Sequence, residues 1–190
     1  MRSRGQNQAR IAEEAALIRR VRRGDRDSFR PLVERYQSRV FSLLLRLVRD
    51  VHDAEDLCQE TFVRAYRALS RFDTRYPFEN WLLRIATNLA RTSLKRRRSF
   101  FSLMDDRVAL EAKPSQAQQE EALSDLSQFL EEVLASLSPK KRTALLLFHQ
   151  AKRSYADIAE IMDIPVGTVK TVIHRAREEI RRALTERGFL

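Results

Sequence analysis

From Ser154 to Leu184 the chain reads SYADIAEIMDIPVGTVKTVIHRAREEIRRAL, and few folds accept that string. Apolar residues at three- and four-residue spacing run on both sides of a break at Asp163-Ile164-Pro165. Ser154 is a favoured helix N-cap type, and a proline after the break disfavours continuing the first helix. The spacing predicts a short helix over Tyr155 to Met162, a turn, and a long helix from Val166 to about Glu186, with Gly188 beyond its end. Ile158, Ile161, Ile164, Val169 and Ile173 supply a shared core, and the small Ala159 permits a close crossing. Asp163 then has to accept a left-handed backbone where glycine is commoner. This is a helix-turn-helix pattern. Its second helix presents Thr168, Lys170, Thr171, His174, Arg175 and Arg177 outward. Basic and hydrogen-bonding side chains near a helix start suit phosphates and base edges in a major groove. The bland alternative is a helical hairpin with a solvated charged face. No second His or Cys lies at helical spacing from His174, so a metal site is not expected.

The rest of the chain also reads as helix. Its 190 residues hold only 4 glycines and 5 prolines, too few for the tight turns of a β fold. Residues 1–13 are polar and are expected to form a disordered tail, with a short helix over Glu14 to Arg23 closed by Gly24. Asp27 is the candidate cap of a long helix to about Arg49, with Pro31 in its first turn. A further helix is expected from Asp53 to about Ser70, with Asp53 and Asp56 at its positive end. On it Leu57, Cys58, Thr61, Phe62, Ala65 and Leu69 share one face, and Asp56, Gln59, Glu60, Val63 and Arg67 the other. Arg71 to Pro77 reads as a loop, followed by a helix from about Phe78 to Arg98. Residues 99–120 lack sustained periodicity and read as a linker. A helix from about Gln119 to Ser136 and another from Pro139 to about Gln150 complete the second half. The expected fold class is therefore all-α: two small helical domains, 14–98 and 121–190, joined by a flexible linker.

The formal net charge is +10, and it is uneven. Residues 74–104 hold 7 basic side chains against 1 acidic one, and residues 105–138 hold 2 against 8. Two basic blocks separated by an acidic stretch point to two modules facing a polyanion. Cys58 is the only cysteine, so neither an internal disulfide nor a cysteine metal cluster is possible; its setting suggests a small core residue. No apolar run approaches the roughly 20 residues of a spanning helix, and the first residues show no apolar signal core, so no membrane insertion and a cytoplasmic location are expected. No Gly-rich phosphate loop, paired His or activated nucleophile is visible. An enzyme is not expected, and no cofactor.

The helix-turn-helix string, with LASLSPKKRTALLL before it, is similar to the C-terminal domain of extracytoplasmic-function sigma factors of the sigma-70 family. That resemblance implies that the long helix reads the minus-thirty-five promoter element, with Lys170, Thr171, His174 and Arg175 as the main contacts. The family pattern has Ser-Arg at Thr171 and Val172, so the departure at Val172 implies a missing phosphate contact.

Two strings in the first half carry the same resemblance. DAEDLCQETFVRAYRALSRF resembles the family's polymerase-binding helix. It implies docking of the Asp56, Gln59, Glu60, Val63 and Arg67 face on the clamp helices of the largest subunit of core RNA polymerase, with the polymerase flap as a further contact. FENWLLRIATNLARTSLKRRR resembles the minus-ten element-binding segment. It implies roles for Tyr76, Phe78, Asn80 and Trp81 at an extruded base, and for Arg84, Arg91, Lys95, Arg96 and Arg97 along phosphates. Trp81 has two readings: a stacking face for an unstacked base, or core, which its spacing with Leu82, Ile85 and Leu89 favours. The linker either follows a basic polymerase channel or serves solubility. The resemblance implies a factor that directs core polymerase to promoter DNA and aids melting, with an anti-sigma protein as a further partner. The rival reading is a free-standing helix-turn-helix regulator of duplex DNA.

Overall fold

The computed structural model describes residues 2–104 and 121–190. Among them are eight α-helices, two 3-10 turns and no strand. The helices are α1 (Arg2–Arg22), α2 (Arg30–Val48), α3 (Val51–Ala68), α4 (Phe78–Met104), α5 (Glu121–Ser136), α6 (Pro139–His149), α7 (Tyr155–Met162) and α8 (Val166–Arg187). The chain divides into two compact units, Met1–Lys95 and Arg96–Leu190.

In the first unit α2 is the central element. Leu32, Tyr36, Val40, Leu43, Leu44, Leu47 and Val48 bury one stripe of it, facing Ala54, Thr61, Phe62 and Ala65 of α3. Each large side chain of this kind contributes about 1.5–3 kcal/mol on burial. The buried Thr61 hydroxyl donates to the Leu57 carbonyl at 2.7 Å, so that group is not left orphaned. Cys58 is half-buried; its Sγ lies 3.8 Å from the Gln37 carbonyl, and burial pushes the thiol above its ordinary pKa. It lies at the edge of the core, with little thiolate character.

Several helix starts differ from the sequence expectation. The cap before α2 is Asp25, not Asp27: its carboxylate accepts from the Ser28 amide at the head of a 3-10 turn, Arg26–Phe29. Helix α3 begins before Asp53, at Val51, and its cap is Asp50. Asp50 is extended at φ −140° and accepts from the Asp53 amide at 2.8 Å, which places Asp53 inside the first turn. The expected tail 1–13 is instead the start of α1, which runs unbroken from Arg2. Arg10 anchors this stretch through Glu14 at 3.8 Å and Glu79 at 3.5 Å. The linker expected at 99–120 begins later, since α4 continues to Met104; residues 105–120 lie outside the described ones.

Glu14 and Glu79 are both buried. Glu79 faces Arg39 at 3.2 Å as well as Arg10. Glu14 faces Arg35 at 3.5 Å and accepts from the Tyr36 hydroxyl, and burial together with that bond pushes the phenol well above its usual range. Charges taken out of water persist only when paired in this way. The network ties α1, α2 and α4 together.

In the second unit the core comprises Val133, Leu137, Ala144 to Leu147, Ile158, Ile161, Val169, Ile173 and Ala176. Pro139 opens α6 after Ser138, whose side chain makes no cap bond. The Arg142 guanidinium reaches back to the carbonyls of Leu134 at 2.8 Å, Ala135 and Leu137 at 3.3 Å, closing the end of α5.

Candidate functional site

The helix-turn-helix follows from local chemistry. Ser154 caps α7 in a reciprocal box with Asp157: the Asp157 amide donates to Ser154 Oγ at 3.1 Å, and the Ser154 amide to the Asp157 carboxylate at 3.0 Å. Asp163 ends α7 at φ 55°, ψ 51°, the left-handed geometry the turn requires. Ile158, Ile161, Val169 and Ile173 are buried, while Ile164 is half-buried. On α8, Lys170, Thr171, His174 and Arg175 are exposed and lie away from Val169, Ile173 and Ala176. Thr168 is half-buried. Arg177 differs from these neighbours. It turns over the Phe148 ring at 5.0 Å and sits 3.2 Å from His149 Nε2, so it helps hold α8 to α6. The position of Val172 is half-buried on the core-facing flank.

On α4, Arg84, Arg91, Lys95 and Arg96 are exposed and Arg97 is half-buried. Arg84, Arg91 and Lys95 share a stripe with Asn88, which sequence reasoning passed over; Asn88 accepts from Arg91 at 3.0 Å. At the helix start the structure corrects two expectations. Phe78 is fully buried, with ring centroids 5.9 Å from Tyr36 and 5.6 Å from Phe72. Asn80 is 2% exposed. Tyr36 and Phe72 hold the Phe78 ring inward, and Asn80 is buried as well, so neither side chain is on the exposed surface. Trp81 stacks obliquely on Phe72 at 4.8 Å and is half-buried, packed into the aromatic cluster on one side and accessible on the other. Tyr76 is 54% exposed at the tip of the loop.

The remaining face is on α3. Asp56, Gln59, Val63 and Arg67 are exposed, and Glu60 is half-exposed, paired with Arg64 at 2.6 Å. Beside them Phe29, Phe62, Val63, Tyr66 and Arg67 line a shallow apolar hollow. Tyr66 meets Phe29 edge-on at 5.2 Å and stays 39% exposed. Phe29 and Tyr66 were absent from the sequence-level site; Phe29 comes from a turn 33 or more residues before the other residues of the hollow. Among the described residues there is no cluster of three or more side chains able to hold a metal, and no helix long and apolar enough to cross a membrane.

Comparison with known proteins follows the same two-unit division. Residues 32–100 match the family model of sigma-70 region 2, and residues 128–180 that of sigma-70 region 4. The chain is similar to the ECF RNA polymerase sigma factor SigW of Bacillus subtilis, 35% identical over 89% of this chain and 95% of that protein. It is likewise similar to the ECF RNA polymerase sigma-E factor of Escherichia coli, 40% identical over 88% of this chain and 92% of that one. In fold it resembles CnrH, solved in complex with the cytosolic domain of CnrY, with a TM-score of 0.69 over 92% of this chain and 98% of that one at 24% identity. It also resembles the sigma factor RpoE of Bartonella quintana, solved with the anti-sigma factor NepR, with a TM-score of 0.67 over 83% of this chain and 96% of that one at 23% identity.

Proposed function

Because the chain belongs to the extracytoplasmic-function sigma factors of the sigma-70 family, we propose a division of labour among its three exposed surfaces. The protein is an RNA polymerase sigma factor, not an enzyme: it directs core polymerase to promoter DNA for initiation. Within that activity, the α3 face of Asp56, Gln59, Glu60, Val63 and Arg67 docks on core polymerase. The loop bearing Tyr76 and the α4 stripe of Arg84, Arg91 and Lys95, extended by Arg96 and Arg97, hold the minus-ten element. Lys170, Thr171, His174 and Arg175 of α8, with Thr168 at the helix start, read the minus-thirty-five element.

The observation that carries this assignment is the separation of chemistry. The α3 face is mixed in sign and adjoins an apolar hollow, as suits a protein partner. The α4 and α8 faces are cationic, as suits phosphates. The residues between α4 and α5 serve as the tether between the two domains, with α1 extending the first domain toward Arg2. Two modest contacts then combine through the tether's effective concentration. The factor acts in the cytoplasm with polymerase. Restraint by an anti-sigma protein is supported by the similar sigma factors solved with such partners.

A double reversal, Asp56→Arg with Glu60→Arg, tests the docking face. Core-polymerase affinity is expected to fall about 10²-fold or more through like-charge placement and lost pairing. Binding of the free chain to minus-thirty-five duplex should not change. Unaltered polymerase affinity, measured by fluorescence anisotropy, would overturn the assignment of α3.

A further inference from the structure

The loop that carries Tyr76 is held by a residue far away in sequence. Arg22, in the last turn of α1, directs its guanidinium at the end of α3 and the short 3-10 turn that follows, Leu69–Arg71. Its Nε and one terminal nitrogen lie 3.0 and 2.7 Å from the Leu69 carbonyl oxygen, and the same terminal nitrogen also donates to the Phe72 carbonyl. The last carbonyls of a helix lack intrahelical partners and sit at its negative end, where a planar cation with several donors fits well. The Leu69 oxygen already accepts from the Phe72 amide at 3.2 Å, so Arg22 completes the joint rather than substituting for it.

That joint sets the attitude of everything after it. The Phe72 side chain is buried against Trp81 and Phe78, so position 72 is fixed from inside by rings and from outside by Arg22. The next four residues form a closed turn. The Tyr76 amide donates to the Asp73 carbonyl at 3.1 Å, and Arg75 donates to the Asp73 carboxylate from its backbone amide at 3.0 Å and its guanidinium at 2.6 Å. Those bonds with Arg75 hold the Asp73 carboxyl below its ordinary pKa, with Arg22 as a minor contributor. The turn is therefore closed on itself by hydrogen bonds, next to a joint that Arg22 holds. Its one large exposed hydrophobic side chain is Tyr76. Arg22 stands one turn after the buried Ile18 and next to the buried Val21, and Gly24, at φ +100°, redirects the chain immediately afterwards.

We propose that Arg22 is the positioning residue of the base-capture loop: its fork on the Leu69 and Phe72 carbonyls fixes where Tyr76 stands to receive an extruded base of the minus-ten element. It need not touch DNA. The proposal rests on the reading of this loop as the minus-ten contact, and its test separates the two.

The probe is holoenzyme reconstituted from the full chain and core polymerase. Promoters are first mapped with the parent holoenzyme. Affinity is then measured for the fluorescently labelled non-template strand across the minus-ten element, intact and with each base in turn replaced by an abasic site. Arg22→Ala is expected to lower the ratio of intact to abasic affinity about tenfold at one position, roughly what losing a charge-assisted hydrogen bond does. Core-polymerase affinity and binding to minus-thirty-five duplex should stay at parent values. Arg22→Lys, which keeps the charge and loses the fork, should fall between the two. An Arg22→Ala protein with a lower melting temperature and an unchanged base ratio would overturn the proposal and leave Arg22 a stabilising residue. If Arg22→Ala fails to fold, the base ratio of Arg22→Lys decides between the same two outcomes. Should Tyr76→Ala also leave every ratio unchanged, the loop reading itself falls, and the positioning role with it.

Discussion

Replacing Glu79 by Gln removes one charge and almost no volume, which makes it a sharp test of the buried network at the start of α4. The Glu79 side chain is 4% exposed and sits 3.2 Å from Arg39 and 3.5 Å from Arg10. Breaking a fully buried pair costs roughly 3–5 kcal/mol, but neither arginine is fully buried. The Arg39 side chain is 62% exposed and can turn to water, so its part is close to the range of about 0–1 kcal/mol for surface pairs. Arg10, 33% exposed, keeps Glu14 as a second partner at 3.8 Å. The expected cost is about 1–3 kcal/mol, most of it from the neutralised carboxylate and the Arg10 contact. For a unit of this size that is a drop of about 5–20 °C in melting temperature. The assay is intrinsic to the chain: Trp81 is its only tryptophan and stands in the aromatic cluster of the first unit, so its fluorescence follows that unit alone. Arg39→Gln should cost less than about 1 kcal/mol in the same assay. A Glu79→Gln transition within about 2 °C of the parent, or an Arg39→Gln loss as large as that of Glu79→Gln, would show that the network is not organised as described.

Two further outcomes concern the second unit. His149 is held below the ordinary histidine pKa by partial burial first, then by the nearby charges of Arg177 and Lys152. Its folded form resists protonation, so its contribution is present above the unfolded value of about 6.5 and declines as pH falls through the depressed folded value. Circular dichroism melts should show His149→Gln flattening this slope; an identical slope in the variant would contradict it. His174→Ala should weaken minus-thirty-five duplex binding about five- to hundredfold, as one lost base contact does, while binding to unrelated duplex changes little. Equal losses on both duplexes, read by anisotropy at one salt concentration, would place His174 on phosphate instead.

The parts of this fold that were legible in sequence are those decided within one or two turns. The break at Asp163, the Ser154 start and the apolar stripe of α8 are local signals, and each appears in the structure where the spacing puts it. Phe78 and Asn80 were misplaced for the opposite reason. An aromatic and an amide at a helix start look the same whether they face solvent or core, and for Phe78 it is Tyr36 and Phe72, 42 and 6 residues away, that decide the matter. The α3 cap shows a finer limit: Asp50, Asp53 and Asp56 are spaced a turn apart, and only the extended backbone at Asp50 selects it. Glu14 and Glu79 could not be paired at all, since two acidic residues 65 apart carry no sign of the shared Arg10. The surfaces that read easily are periodic. The joints that position them are not.

Arg22 and Arg142 perform one task in the two units, each closing a helix end that belongs to a different element. A glycine stop works in a peptide as well as in a protein, because it asks nothing of the rest of the chain. A stop supplied by a distant guanidinium exists only once the donor helix has docked. The turn after α3 therefore takes its shape only with α1 in place, whereas Arg142 closes the end of α5 from within eight residues. In a chain so short of glycine, loop geometry is stored as tertiary structure, and a disturbance of α1 is felt first not in α1 but at the loop it holds.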